Sequence, residues 1–298
     1  MVSNLLERSW QVNRPPASGS LCGDTSLLGI SVWSVIGGPD YVSHLEREST
    51  RFAVALGEAL PDASVPTCPE WDADDLLWHL AEVQWFWGTI VRHALTEPPP
   101  AEARPERPRG RAELTAFYER ASGDLVAALA AADPQDRVWT WFTDQTVGFV
   151  CRRQAHEALI HRVDAELTIE SRGSMDAQLS DDGIDEALRV MYGYIPEWAT
   201  FSSNCSGVVR LRASDTGHAW LVSPGRLAGT DPEDGASTDE PCLRVTDDPG
   251  GEVEATVTGF AADLDCWLWR RPTVAPLERS GDQRLLDELE VAIRPGID

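Results

Sequence analysis

The chain has 298 residues, enough for two ordinary domains and a well-buried core. Its 25 lysines and arginines stand against 49 aspartates and glutamates, and the formal charge of −24 argues against a nucleic-acid or anionic-membrane surface. A hydrophobic fraction of 42% fits a globular protein, no apolar run approaches the roughly twenty residues of a membrane span, and 6 scattered cysteines without a C-x-x-C pair point to reduced thiols in a cytosol rather than a zinc ribbon or disulfide framework.

The chain opens with R-P-P-A-S-G-S and G-G-P-D, which interrupt any helix or strand pattern, and residues 1–39 are expected to be a poorly ordered extension. The apolar patch from Leu27 to Ile36 has neither the lead nor the clear cleavage site of a secretory leader. From Tyr41 to Leu60, the spacing of Leu45, Phe52, Leu56 and Leu60 predicts the first amphipathic helix, stopped by Pro61. The segment V-P-T-C-P-E-W-D-A-D-D-L-L-W-H-L begins as a proline-stiffened connection and becomes a second helix capped by Asp72. A proline-rich loop follows, then a third helix carrying Leu114, Phe117, Tyr118, Leu125 and Leu129 and ended by Asp133-Pro134. The tryptophan-rich stretch V-W-T-W-F-T-D-Q-T-V-G leads into a fourth helix, from about Thr146 to Ile169.

That fourth helix holds F-V-C-R-R-Q-A-H-E-A-L-I-H-R-V-D-A-E, from Phe149 to Glu166. Glu157 and His161 stand four apart, one helical turn, where a carboxylate and an imidazole can grip one metal ion. Phe149, Ile160, Val163 and Leu167 form an apolar face for a core. On the second helix, Leu76, His79, Val83, Phe86 and Ile90 form a stripe that is apolar except for His79. Such a histidine is either a satisfied core residue or a ligand; as a ligand it completes, with Glu157 and His161, the two-histidine, one-carboxylate set of metal sites that keep open positions.

Past Gly173 the pattern changes. A fifth helix is expected from Asp181 to about Tyr194, then the β-like runs G-V-V-R-L-R-A-S and A-W-L-V, a loop from Gly225 to Pro241, and the strands C-L-R-V-T and E-V-E-A-T-V-T-G. The helix F-A-A-D-L-D-C-W-L-W-R-R, closed by Pro272, and an amphipathic helix from Asp282 to Ile293 complete it. The expected architecture is α+β: a four-helix bundle over residues 40–172 and a small α+β domain over 173–298.

The pieces V-P-T-C-P-E-W-D-A-D-D-L-L-W-H-L, V-W-T-W, R-R-Q-A-H-E-A-L-I-H-R-V-D-A-E and V-T-G-F-A-A-D-L-D-C-W-L-W-R-R-P, in that order, resemble the mycothiol-dependent maleylpyruvate isomerase family, within the DinB-like group of metal-binding four-helix proteins. The resemblance spans about residues 41–295 and implies a cytoplasmic enzyme with a sterol-carrier-like C-terminal domain. It also implies a divalent metal, typically zinc, held by His79, Glu157 and His161, with mycothiol as the thiol cosubstrate for a small electrophile. It further implies a catalytic arginine from the C-terminal domain, Arg270 or Arg271, with Arg270 favoured; the plain alternative is an arginine favouring its helix C-terminus. A non-catalytic metal-binding or small-ligand-binding regulatory protein is the competing reading. No nucleic-acid or membrane partner is expected, and the chain is expected to be a monomer or homodimer.

Three more positions carry two readings each. His156 projects about 100° away from Glu157 and is expected in packing or in support of the ligands. Asp164 either orients the His161 ring or pairs with an arginine. Arg152 and Arg153 either contact an acidic cofactor or neutralise the acidic surface. No cysteine lies near a base in sequence, so a protein thiol is not expected to be the nucleophile.

Overall fold

A computed structural model describes residues 39–203, 207–232, 235–246 and 253–297, so the expected N-terminal extension lies outside the described residues except for Pro39. The fold is α+β. Helices α1 (Tyr41–Glu58), α2 (Ala73–Arg92), α3 (Arg111–Ala131) and α4 (Val147–Thr168) come first. Side chains satisfy free amides at the starts of α1, α2 and α4, whereas α3 follows Gly110 without a side-chain cap. Asp40 accepts from the Ser43 amide at 3.1 Å and the Thr146 hydroxyl from the Phe149 amide at 3.2 Å. Asp72 and Asp75 form a reciprocal capping box on α2. Between α1 and α2, the proline-stiffened connection forms a short hairpin, β1 (Ser64–Val65) and β2 (Cys68–Asp72). It sets Thr67 beside α4 and Trp71 beside α2.

Helix α2 packs along α3, and α1 along α4. Phe52, Leu56, Leu76, Leu80, Leu114 and Tyr118 fill one apolar cluster, and Phe86, Ile90, Leu125, Trp139, Val150 and Leu159 another. The sequence predicts one apolar face on α4, but nearly every residue from Val147 to Glu166 is buried. The helix lies between the other helices and the sheet-bearing half, so its charged side chains are enclosed as well. They are paired there, as buried charge requires: Arg162 donates to Glu48 and Glu166 at 2.9 and 2.7 Å, and Arg152 to Asp182 at 2.9 Å.

The second half begins with α5 (Ala177–Glu186). It starts before the expected Asp181 because Asp176 caps it, accepting from the Gln178 and Leu179 amides at 3.0 Å. Over Ala187–Tyr192 the helix widens into a π-helix, and the Tyr192 hydroxyl donates to the Leu268 carbonyl at 2.6 Å.

The sheet contains β3 (Ala199–Ser203), β4 (Val209–Ala213), β5 (Ala219–Thr230), β6 (Ser237–Thr246), β7 (Ala255–Gly259) and β8 (Glu278–Gly281). Its order is β3-β5-β4-β7-β8, with β6 along the other edge of β5 and β4–β7 the parallel pair. The ends of the expected loop from Gly225 to Pro241 therefore belong to strands. Gly225 serves close packing there, since a Cβ would run into the Ser202 carbonyl and the Phe201 ring of β3. Strands β3 and β8 carry no clean apolar alternation, and β8 is exposed throughout, so neither shows a sequence signal.

Helices α6 (Ala261–Leu268) and α7 (Gln283–Ile293) complete the fold. Val209, Leu211, Val222 and Val257 of the sheet share a core with Leu264 of α6 and Leu289 of α7. Ile160 of α4 enters the same core, so the two halves join through buried surface. No helix among the described residues is long and apolar enough to cross a membrane.

Candidate metal centre

Helices α2 and α4 bring His79, Glu157 and His161 together, with one donor atom from each lying within 4.8 Å of the others. Glu157 Oε1 is 3.2 Å from His161 Nε2 and 3.5 Å from His79 Nε2. The two imidazole centroids are 4.7 Å apart, and the Trp71 ring packs at a tilt against His79, centroids 4.8 Å apart.

The His79 Nε2 atom is buried with no hydrogen-bond partner among the described residues, an arrangement that costs free energy unless something else satisfies it. Burial lowers the His79 pKa and keeps the ring neutral, with a lone pair available to a cation. For His161, burial opposes charge, but the hydrogen bonds with Asp164 and Glu157 outweigh it and raise the pKa. For Glu157, burial works against ionisation, yet His161, His79 and Arg153 hold the carboxyl well below its ordinary range. Two imidazoles and an ionised carboxylate, facing one another with an unpartnered nitrogen, form a donor set that fits a divalent ion.

Asp164 supports this set. Its Oδ2 is 3.0 Å from His161 Nδ1, which leaves Nε2 facing Glu157 and fixes the ring orientation. Burial would raise the Asp164 carboxyl, and the Arg271 guanidinium more than offsets this, holding it far below the usual carboxylate range. Arg271 donates to Asp164 at 2.9 and 2.8 Å, and the Thr67 hydroxyl adds a bond at 2.7 Å. Asp164 thus both orients the imidazole and pairs with an arginine.

Arg270 does not join the cluster. Its guanidinium is 44% exposed and lies 3.7 Å from Glu290. The backbone explains the difference between the two arginines. Arg270 has φ +60, while the Arg270 amide bonds to the Trp267 carbonyl at 3.1 Å and the Arg271 amide to the Cys266 carbonyl at 2.7 Å. This is a Schellman ending for α6, and the left-handed residue sends the next side chain inward. Both arginines line a cleft of about 370 Å³ with Pro66, Thr67, Trp267 and Pro272. The cleft thus adjoins the groups that hold Asp164.

The remaining candidates are placed elsewhere. His156 Nε2 lies 2.8 Å from Asp182, on another side of α4. Arg152 pairs with Asp182 and Asp185, and Arg153 with Glu157 and Glu186, so both are buried counter-charges rather than surface cations. Thr67 and Trp71, which periodicity alone does not mark as functional, lie in V-P-T-C-P-E-W-D, one of the pieces that carries the family resemblance and that precedes the histidine helix.

The chain matches two family models in series: the mycothiol maleylpyruvate isomerase N-terminal domain over residues 42–166 and the MDMPI C-terminal domain over residues 178–288. No curated protein matches the chain. A crystal structure of a histidine-to-alanine variant of the mycothiol-dependent maleylpyruvate isomerase is similar in fold, with a TM-score of 0.52 and 12% identity over 81% of this chain and 92% of that one. A second crystal structure of that isomerase aligns over the same shares, also at 12% identity, with a TM-score of 0.49. With both halves matched in the same order, the chain belongs to the mycothiol-dependent maleylpyruvate isomerase family of enzymes.

Proposed function

We propose that the protein is a mycothiol-dependent metalloenzyme that adds a thiol to a small anionic electrophile, as a maleylpyruvate cis-trans isomerase or a related thiol transferase. The observation that carries this reading is the buried cluster in which His79 Nε2, with no hydrogen-bond partner among the described residues, faces Glu157 Oε1 at 3.5 Å and His161. His79, Glu157 and His161 would hold the ion, and a fourth carboxylate, cysteine or histidine does not join them among the described residues, which favours an open site over a closed structural one. When bound, a divalent ion such as zinc supplies a Lewis acid that stabilises a thiol as its thiolate at neutral pH.

Three of the chain's own thiols, those of Cys151, Cys242 and Cys266, are poorly suited to that role. Burial pushes Cys151 and Cys242 up to about 11 and Cys266 up to about 12, so all three stay protonated at neutral pH. The mycothiol dependence that names the family points to a cosubstrate as the nucleophile. Sulfur adds to one alkene carbon, the electron pair of the double bond moves into an enolate, the new single bond rotates, and elimination restores a trans alkene and the free thiol. The balance is redox neutral and needs no further reactant.

Arg271 is committed to Asp164 and to the Trp269 carbonyl, so its part is to hold the His161 support in place. Arg270, on the cleft wall with a 3.7 Å contact to Glu290 as its ion pair among the described residues, has donors available for a substrate carboxylate. The test is elemental analysis of the purified protein, followed by turnover of maleylpyruvate and other electrophiles with and without mycothiol. One equivalent of metal and strict thiol dependence are expected. Equal turnover without thiol, or a protein that binds no divalent ion, overturns the reading.

A further inference from the structure

We infer that Arg153 is a positioning residue for the metal centre: by holding Glu157 Oε2 it turns Oε1 toward His79 and His161, and it ties that orientation to the sheet-bearing half through Glu186 and Trp269. The inference rests on the metal reading above. Arg153 and Glu157 are one turn apart on α4, and Nη2 donates to Glu157 Oε2 at 2.9 Å. The other oxygen, Oε1, is the one that faces the two imidazoles, at 3.2 and 3.5 Å. The guanidinium thus divides the carboxylate between a protein partner and the cluster.

Arg153 is held at two further points, while its Nε is buried with no hydrogen-bond partner among the described residues. Nη1 donates to Glu186 Oε2 at the end of α5, and the guanidinium carbon lies 4.9 Å over the Trp269 ring that follows α6. The side chain is 4% exposed, so the fork cannot swing to solvent. A planar fork can bridge two carboxylates on different elements, whereas an ammonium is a point charge without that geometry. The arrangement connects the seating of α5 and α6 on α4 to the direction in which Glu157 points. Arg152 is the internal contrast: equally buried and adjacent in sequence, it forms its ion pairs with Asp182 and Asp185 of α5.

Cobalt(II) titration of the full-length, chelator-stripped protein, followed by visible absorption, tests this. Arg153→Gln is expected to weaken cobalt binding by about 10- to 100-fold and to change the intensity of the visible bands, because both Glu157 oxygens become free to turn toward the ion. Arg153→Lys should recover part of the affinity, and Glu186→Gln should shift the spectrum in the same direction by acting through Arg153. Arg152→Gln should lower thermal stability while keeping native affinity and spectrum. A folded Arg153→Gln with native affinity and spectrum overturns the inference, as do equal losses in Arg153→Gln and Arg152→Gln. If Arg153→Gln does not fold, an unchanged spectrum in Glu186→Gln overturns it instead. A wild-type protein that takes up no cobalt fails earlier and marks the metal reading itself as the error.

Discussion

Arg271 closes on Asp164 with Nε to Oδ1 at 2.9 Å and Nη2 to Oδ2 at 2.8 Å, joining the end of α6 to the middle of α4. Asp164 is fully buried and Arg271 nearly so, so removing one partner leaves an enclosed charge uncompensated. Arg271→Met is expected to cost about 3–5 kcal/mol in denaturant unfolding. It should also weaken metal binding, because the His161 ring loses a fixed support. The double variant Arg271→Met/Asp164→Leu should be less damaging than the sum of the two singles, since it leaves no orphan charge. A single-variant cost below about 1 kcal/mol would contradict the buried pair.

Arg270 offers the opposite behaviour. At φ +60 it occupies a position that glycine tolerates without steric cost, and its side chain is half-exposed. Arg270→Gly should therefore leave stability unchanged or raise it by up to about 1 kcal/mol, and metal content should stay native. If its guanidinium anchors a substrate carboxylate, KM for an anionic electrophile rises while the uncharged amide analogue is unaffected. A KM that rises equally for both substrates would remove the carboxylate role.

Periodicity accounts for part of the candidate cluster: Glu157 and His161 are one helical turn apart, whereas His79, interrupting an otherwise apolar stripe, reads equally as a core residue and joins the set through the family resemblance. Helix starts were legible where a cap was present, as at Asp72 and Thr146. What escaped depends on which distant segment arrives alongside. Whether Arg270 or Arg271 turns inward is decided by one left-handed residue at the end of α6, and adjacent arginines look alike in sequence. The complete burial of α4 depends on enclosure from both sides, which periodicity does not encode, so for Arg152 and Arg153 the sequence offers only an acidic-cofactor contact or neutralisation of the acidic surface. Gly225 read as a loop marker when it is a strand residue under close packing.

That last position makes its own prediction. With Gly225 paired to Ser203 in register and no room for a Cβ beneath the Ser202 carbonyl and Phe201 ring, Gly225→Ala must push β3 away from β5. The expected loss is about 1–3 kcal/mol. Gly217, at φ +81 in the β4–β5 turn with nothing within 4 Å of a Cβ, is the comparison: any cost of Gly217→Ala comes from backbone strain alone. Chemical denaturation of the two variants distinguishes packing from strain, and a Gly225→Ala protein as stable as wild type would show that β3 yields freely.

Asp265 sets a pH dependence independent of the metal ligands. It is 1% exposed, and neither carboxyl oxygen has a hydrogen-bond partner among the described residues. Burial, with a further contribution from the nearby Glu186 charge, raises its pKa well above the ordinary 3.8. In the unfolded chain the group loses its proton near pH 4, roughly its free value. Between that pH and the raised folded value the native state binds more protons than the unfolded state, so Asp265 makes stability fall as pH rises. Asp265→Asn removes this term. The melting temperature of the variant relative to wild type should climb as pH increases from about 4, then level off above the folded pKa of Asp265. A constant difference across that range would mean that the carboxyl is already ionised in the native protein, with a counter-charge closer than Arg153.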